Sequence, residues 1–121
     1  MIKLTDSEWK IIDLLWKNGP MTLMQITYAL AEETDWSKST VFTFLKRMED
    51  RGAVYRIEGD KTKVYYPKVD RSQASLEETK SFLDKVYEGK IGLMISNLIK
   101  EEALSNDEID ELYKILQDGD K

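Results

Sequence analysis

The sequence predicts a mostly α-helical chain broken once by a small β-hairpin, with three helices before the hairpin and three after it. Three observations predict it. Apolar residues recur at three- and four-residue spacing through most of the chain, as in helices with one buried face. Between Ala53 and Tyr66 the period falls to two, in a stretch rich in Val, Ile and Tyr. The pattern Ser/Thr-x-x-Glu/Gln, in which side chain and backbone cap each other, opens three of the predicted helices.

Thr5-Asp6-Ser7-Glu8 opens the first helix, about Asp6 to Lys17, with Trp9, Ile12, Leu15 and Trp16 at helical spacing. Asn18-Gly19-Pro20 ends it, because Gly suits a left-handed cap and Pro cannot continue. Thr22-Leu23-Met24-Gln25 opens a short second helix carrying Ile26, Ala29 and Leu30 and ending near Glu33. A tight connection through Thr34-Asp35-Trp36 leads to a third helix, Lys38 to Arg51, with Ser37 as N-cap. Its inner face is Val41, Phe44, Leu45 and Met48, and Gly52 closes it.

Ala53 to Glu58 and Lys63 to Tyr66 are the strands of the hairpin, joined by Gly59-Asp60-Lys61-Thr62 and stopped at Pro67. Helices then run from about Arg71 to Glu88 and from Lys90 to about Glu102, with Gly89 between them. Ser105-Asn106-Asp107-Glu108 opens the last one, through Ile109, Leu112, Ile115 and Leu116. The compositional boundary near Pro67 to Asp70 divides the chain into 1–69 and 70–121.

The 121 residues, 41% hydrophobic and 34% charged, suit a single folded domain or a small domain with an appended segment. With no cysteine and no histidine there are no disulfides, thiolate or imidazole metal sites, or cysteine or histidine catalysts, so a non-enzymatic binding protein without a cofactor is expected. No apolar run approaches the roughly 18 residues that span a bilayer. The N-terminal MIKLTDSEWK lacks the apolar core of a signal peptide, so the expected location is the cytoplasm, with no membrane insertion.

The net charge of −5 is unevenly spread: −3 over residues 1–35, +4 over 36–68 and −6 over 69–121. A basic middle between acidic flanks suits an element that binds nucleic acid. Two short helices joined by a four-residue turn, the second of them basic, form a helix-turn-helix, and the hairpin directly after makes it a winged variant. In that arrangement the second helix enters the major groove and the hairpin reaches the adjacent backbone.

The face pointing away from the third helix's core side carries Lys38, Ser39, Phe42, Thr43 and Lys46, with Thr40 close by. Thr40 and Thr43 are the best candidates for groove contact. Lys38, Lys46, Arg47, Lys61 and Lys63 are candidates for phosphate, Lys61 and Lys63 being otherwise solvated turn charges. Ser37 caps the helix whether or not it touches DNA. Phe42 either meets a thymine methyl or packs on the hairpin. Trp9, Trp16 and Trp36 belong to a core rather than a ligand cage.

Residues 70–121 form too short a helical segment to bury a core of their own, yet they carry Phe82, Leu83, Val86 and Tyr87 on one face. Leu93, Met94, Ile95, Leu98 and Ile99 follow, then Ile109, Leu112, Ile115 and Leu116. A two-fold homodimer through these helices covers them. The alternative is packing back onto the first half. Such a dimer sets two recognition helices on successive turns of a palindromic operator.

The chain resembles the penicillinase-repressor family of winged-helix regulators (the BlaI/MecI/CopY type) over about 110 residues. The resemblance rests on Leu4-Thr5-Asp6-Ser7-Glu8-Trp9, on Trp36-Ser37-Lys38-Ser39-Thr40-Val41, and on Leu45-Lys46-Arg47-Met48 with Gly52-Ala53. It continues through Ser81-Phe82-Leu83, Val86-Tyr87-Glu88-Gly89 and the run from Leu104 to Leu112 with Ile115-Leu116. It implies a homodimeric transcriptional repressor on a palindromic operator of double-stranded DNA. In β-lactam-responsive members a membrane-bound sensor-protease, or a protease it activates, leads to cleavage of the repressor within its dimerisation helices, between Asn and Phe. Asn97-Leu98 is the matching dipeptide here, with Leu for Phe. Ser39 stands where the family often has Lys, and Phe42 where it has Gln, which points to a different operator preference. The cysteine hook of the copper-responsive branch is absent. The competing class is a winged-helix module that docks on proteins without sequence-specific DNA binding.

Overall fold

The structure is a computed structural model describing residues 2–59 and 61–119. The chain divides into two compact units, Met1–Glu78 and Thr79–Lys121.

In the first unit, α1 (Asp6–Asn18) begins where the capping pattern places it. The Thr5 N–H donates to Glu8 Oε1 at 2.9 Å and the Glu8 N–H to Thr5 Oγ1 at 3.2 Å. Ile11, Ile12 and Leu15 are buried on its inner face. After Gly19 and Pro20 comes β1 (Met21–Thr22), a two-residue strand too short for alternation to reveal. Thr22 ends that strand and also caps α2 (Leu23–Ala29) through a second reciprocal pair with Gln25, at 2.9 and 3.2 Å. α2 stops at Ala29 rather than near Glu33, and the connection to α3 therefore spans residues 30–37, longer than a four-residue turn. There the Thr34 N–H and hydroxyl both donate to the Leu30 carbonyl, at 3.0 and 2.8 Å, a local bond that competes with another helical turn.

α3 (Lys38–Asp50) is capped by Ser37 and buries Val41, Leu45 and Met48. Its end is a Schellman turn. Gly52 has φ 80°, its N–H donates to the Glu49 carbonyl, and the Ala53 N–H reaches back to Met48 at 2.8 Å. β2 (Val54–Glu58) and β3 (Lys63–Pro67) form the hairpin, and β3 also pairs with β1, giving the antiparallel order β1-β3-β2. Pro67 is the last paired residue of β3, opposite Val54. The fold is the expected one, mostly helical with a small sheet.

The core of this unit joins Ile11, Ile12, Leu15, Ile26, Val41, Leu45, Met48 and Val54. The three tryptophans pack around it, half-buried. Trp9 meets Trp16 edge-on at 5.7 Å, and Trp36 lies 4.9 Å from Phe44. They serve packing, as the sequence suggests.

Among the described residues one charged side chain is buried. Glu8 is 1% exposed, and its second carboxylate oxygen accepts from the Arg51 guanidinium, which also donates to the Lys3 carbonyl at 2.6 Å. Burial pushes the Glu8 carboxyl up. The Thr5 N–H, the Arg51 hydrogen bond and charge, and the Thr5 hydroxyl outweigh that and hold it below the ordinary carboxylate range. Arg51→Met should therefore cost about 2–4 kcal/mol, because an ion stays buried without its partner. Arg51 itself remains 40% exposed on its side chain, which favours the lower end. A group with a depressed folded pKa contributes stability above its unfolded pKa and loses it as pH falls through the folded value. The gap between wild type and variant in urea midpoint should thus be full at neutral pH and close as pH drops below about 4. Equal midpoints at pH 7 would show that the pair has no structural weight.

α4 (Arg71–Tyr87) begins in the first unit and ends in the second, which also holds α5 (Ile91–Lys100) and α6 (Asn106–Asp118). α6 has its expected capping box, Ser105 with Glu108, at 2.9 and 3.1 Å. α5 is less well closed. Its N-cap, Lys90, makes no side-chain cap bond, and its C-terminal turn puts Glu102 at φ 55°, where glycine is the usual occupant. Among the described residues of the second unit none is buried.

Candidate nucleic-acid interface

The N-terminus of α3 is organised around one hydroxyl. Ser37 Oγ accepts from the Thr40 N–H at 3.2 Å and lies 3.1 Å from both Ser39 Oγ and Thr40 Oγ1. One turn further, the Thr43 hydroxyl donates to the Ser39 carbonyl at 3.0 Å. With its one proton donated inward, Thr43 Oγ1 offers lone pairs outward, as an acceptor for a base amino group. Ser37, Lys38, Ser39, Phe42, Thr43, Lys46 and Arg47 are exposed and Thr40 is half-buried, so the predicted residues of this helix share a solvent-facing surface.

At the hairpin tip the Gly59 N–H donates to the Thr62 carbonyl at 2.8 Å, and Lys61 and Lys63 are exposed beside it. Asp60, in the predicted turn, lies outside the described residues. A groove of about 530 Å³ separates the tip from the helix, with Lys38 and Phe42 on one wall and Gly59, Lys61, Thr62 and Lys63 on the other. Thr22, Leu23, Met24, Glu58 and Tyr65 complete it. Burial, helped by the nearby Glu49 charge, pushes the Tyr65 phenol up against the opposing influence of Arg56, so the ring stays neutral at working pH.

The basic middle segment sorts into two groups. Arg51 pairs with Glu8, and Arg56 with Glu49 at 3.0 Å, so both are committed to the fold. Lys63 lies 4.0 Å from Glu58 across the hairpin. Lys38, Lys46, Arg47 and Lys61 make no ion pair with the described residues. Their charge is available to a ligand.

The sequence reading assigned none of Leu23, Met24 and Tyr28 to this surface, yet the fold sets them on or next to it. Met24 is 57% and Tyr28 84% exposed. The signal was present, since large apolar residues four apart on the side of α2 away from buried Ile26 have no core to enter.

In the second unit, Phe82, Val86, Leu93, Ile115 and Leu116 are exposed, the last at 67%. Leu83, Tyr87, Met94, Leu98, Ile109 and Leu112 are half-buried. Asn97 is exposed on α5 beside half-buried Leu98.

The model of the family described as "Penicillinase repressor" matches residues 4–118. The chain belongs to the penicillinase repressor family. Within that family it is 29% identical over 116 residues to the penicillinase repressor of Bacillus licheniformis, covering 96% of this chain and 91% of that one. It is 30% identical over 114 residues to the methicillin resistance regulatory protein MecI of Staphylococcus aureus strain N315, covering 94% and 93%. The solution structure of the DNA-binding domain of the repressor BlaI matches with a TM-score of 0.53 at 26% identity, over 58% of this chain and 85% of that one. The Bacillus licheniformis BlaI monomeric form, solved in complex with the blaP half-operator, matches equally well at 25% identity, over 59% and 87%. No helix among the described residues is long and apolar enough to cross a membrane. A family named for repressors also carries the non-enzymatic reading.

Proposed function

We propose that this chain is a DNA-binding transcriptional repressor of the cytoplasm that acts as a homodimer on a palindromic operator. The observation that carries it is the solvent face of α3. Hydroxyls and unpaired basic side chains lie together there, beside a hairpin tip with two more lysines, on a fold shared with a relative solved on its half-operator. Residues 1–69 bind the duplex. Thr40 and Thr43 contact base edges, with Ser37 and Ser39 at the helix N-terminus beside them, and Lys38, Lys46, Arg47, Lys61 and Lys63 neutralise phosphates.

Residues 70–121 supply the dimer. Their apolar residues find no buried environment within the second unit, and a second copy provides one. Release from the operator follows from proteolysis at Asn97-Leu98 by a sensor-protease or a protease it activates, in response to β-lactam or cell-wall stress. Both residues sit in α5, the helix without a side-chain cap. A cut there divides the dimer surface.

Replacing Thr40 and Thr43 together by Ala should abolish preference for the operator over scrambled duplex while leaving the thermal midpoint nearly unchanged, since neither side chain is buried. Fluorescence anisotropy on the duplex upstream of the gene, with scrambled DNA as control, measures it. A double variant that still discriminates would remove Thr40 and Thr43 from the recognition surface. Indifference of the wild-type protein to all duplex DNA at low salt would instead favour the protein-docking module.

A further inference from the structure

Phe42 stands outside the hydrophobic core and is not among the partly buried residues packed against it. The core side of α3 is supplied by Val41, Leu45 and Met48, all fully buried, and Phe44 pairs with Trp36. Phe42 is 42% exposed and has no aromatic partner among the described residues. It stands between Lys38, one turn before it, and Lys46, one turn after. The same groove is lined by Leu23, Met24 and the edge of buried Tyr65, while Lys38, Lys61 and Lys63, three cations against the one carboxylate of Glu58, form the rim. The result is an apolar seat inside a frame of net positive charge.

Such a frame selects a polyanion, and the seat selects an apolar group carried by it. The major groove of duplex DNA presents one apolar group on its base edges, the C5 methyl of thymine. We infer that Phe42, with Met24 beside it, reads a thymine methyl in each operator half-site and is a specificity-determining residue of this repressor. The inference rests on the DNA-binding reading above. It also assigns the operator a feature, since each half-site must hold a thymine at a fixed, symmetry-related position.

The test uses the full-length chain and a duplex enriched by that chain from a randomised pool, with each symmetric pair of thymines replaced in turn by uracil. Uracil keeps every hydrogen bond and loses only the methyl group. At one symmetric pair, wild-type affinity should fall roughly three- to five-fold per half-site, the worth of one buried methyl, and roughly nine- to twenty-five-fold for both. Phe42→Ala should bind the thymine and uracil duplexes alike. Phe42→Leu, which keeps an apolar contact, should retain part of the difference, and the thermal midpoints of both variants show that they fold.

A wild-type protein that chooses the enriched duplex over scrambled DNA yet ignores every uracil replacement would overturn the inference and leave the repressor reading intact. A uracil effect that persists unchanged in Phe42→Ala would overturn it as well, by giving the methyl to another residue. No preference for any duplex would remove the DNA-binding reading and this inference together.

Discussion

Leu116→Lys should convert the protein from dimer to monomer and weaken operator binding by about 10²–10⁴-fold, the loss expected when two linked half-site contacts become independent. The choice of Leu116 follows from its exposure of 67%, high for leucine on an α6 that buries nothing. If that surface faced water, a lysine there would change stability by no more than about 0.5 kcal/mol. In a two-fold dimer the substitution enters twice and places unpaired ammonium groups in an apolar interface. Sedimentation velocity reads the oligomeric state and anisotropy the affinity. A variant that stays dimeric with unchanged affinity would take Leu116 out of the interface. A variant that is monomeric and still binds the full operator tightly would separate dimerisation from repression.

Operator affinity should fall about 10³–10⁵-fold between roughly 50 and 200 mM salt, if each half-site neutralises about three to five phosphates. The sorting of charges makes this prediction specific. Lys38, Lys46, Arg47 and Lys61 have no acidic partner among the described residues, so each is free to displace a counterion from DNA. Arg51 and Arg56 are held by Glu8 and Glu49 and should contribute little. Lys61→Ala should therefore flatten the logarithmic salt slope by about one unit per half-site, with equal loss on operator and scrambled DNA. An Arg56→Ala slope as flat as that of Lys61→Ala would contradict the division between structural and available charge.

Much of the fold was legible in the sequence because its signals are local. Thr5 with Glu8, Thr22 with Gln25 and Ser105 with Glu108 each cap within four residues, and all three form as read. The hairpin was legible too, from its period of two and its Gly59 turn. What escaped depends on partners distant in sequence. β1 is two residues long and exists as a strand only through its pairing with Val64 and Tyr65. Glu8 reads as a capping residue and is one, but its burial against Arg51, 43 positions away, leaves no local trace. The end of α2 was misplaced because residues 30–33 contain no Gly or Pro, and the Thr34 bond that competes there is weak as a signal. On the candidate surface the residues of α3 followed from periodicity. The groove did not, because its walls come from three separate stretches of chain.

The strand order gives the surface a mechanical character. β3 is the middle strand, hydrogen-bonded to β2 on one side and to β1 on the other, and β1 runs directly into α2. This pairing restrains the base of the hairpin from swinging as an independent flap. Its base is tied at Val64 and Tyr65 to the segment that launches the helix-turn-helix, which restrains the span between the hairpin and the face of α3 like the jaws of a caliper. A gauge of constant opening measures its object instead of adapting to it. The cost of fitting then falls on the DNA, and sequences whose backbone already has the right span, or that deform cheaply to reach it, are favoured even at base pairs the protein never touches.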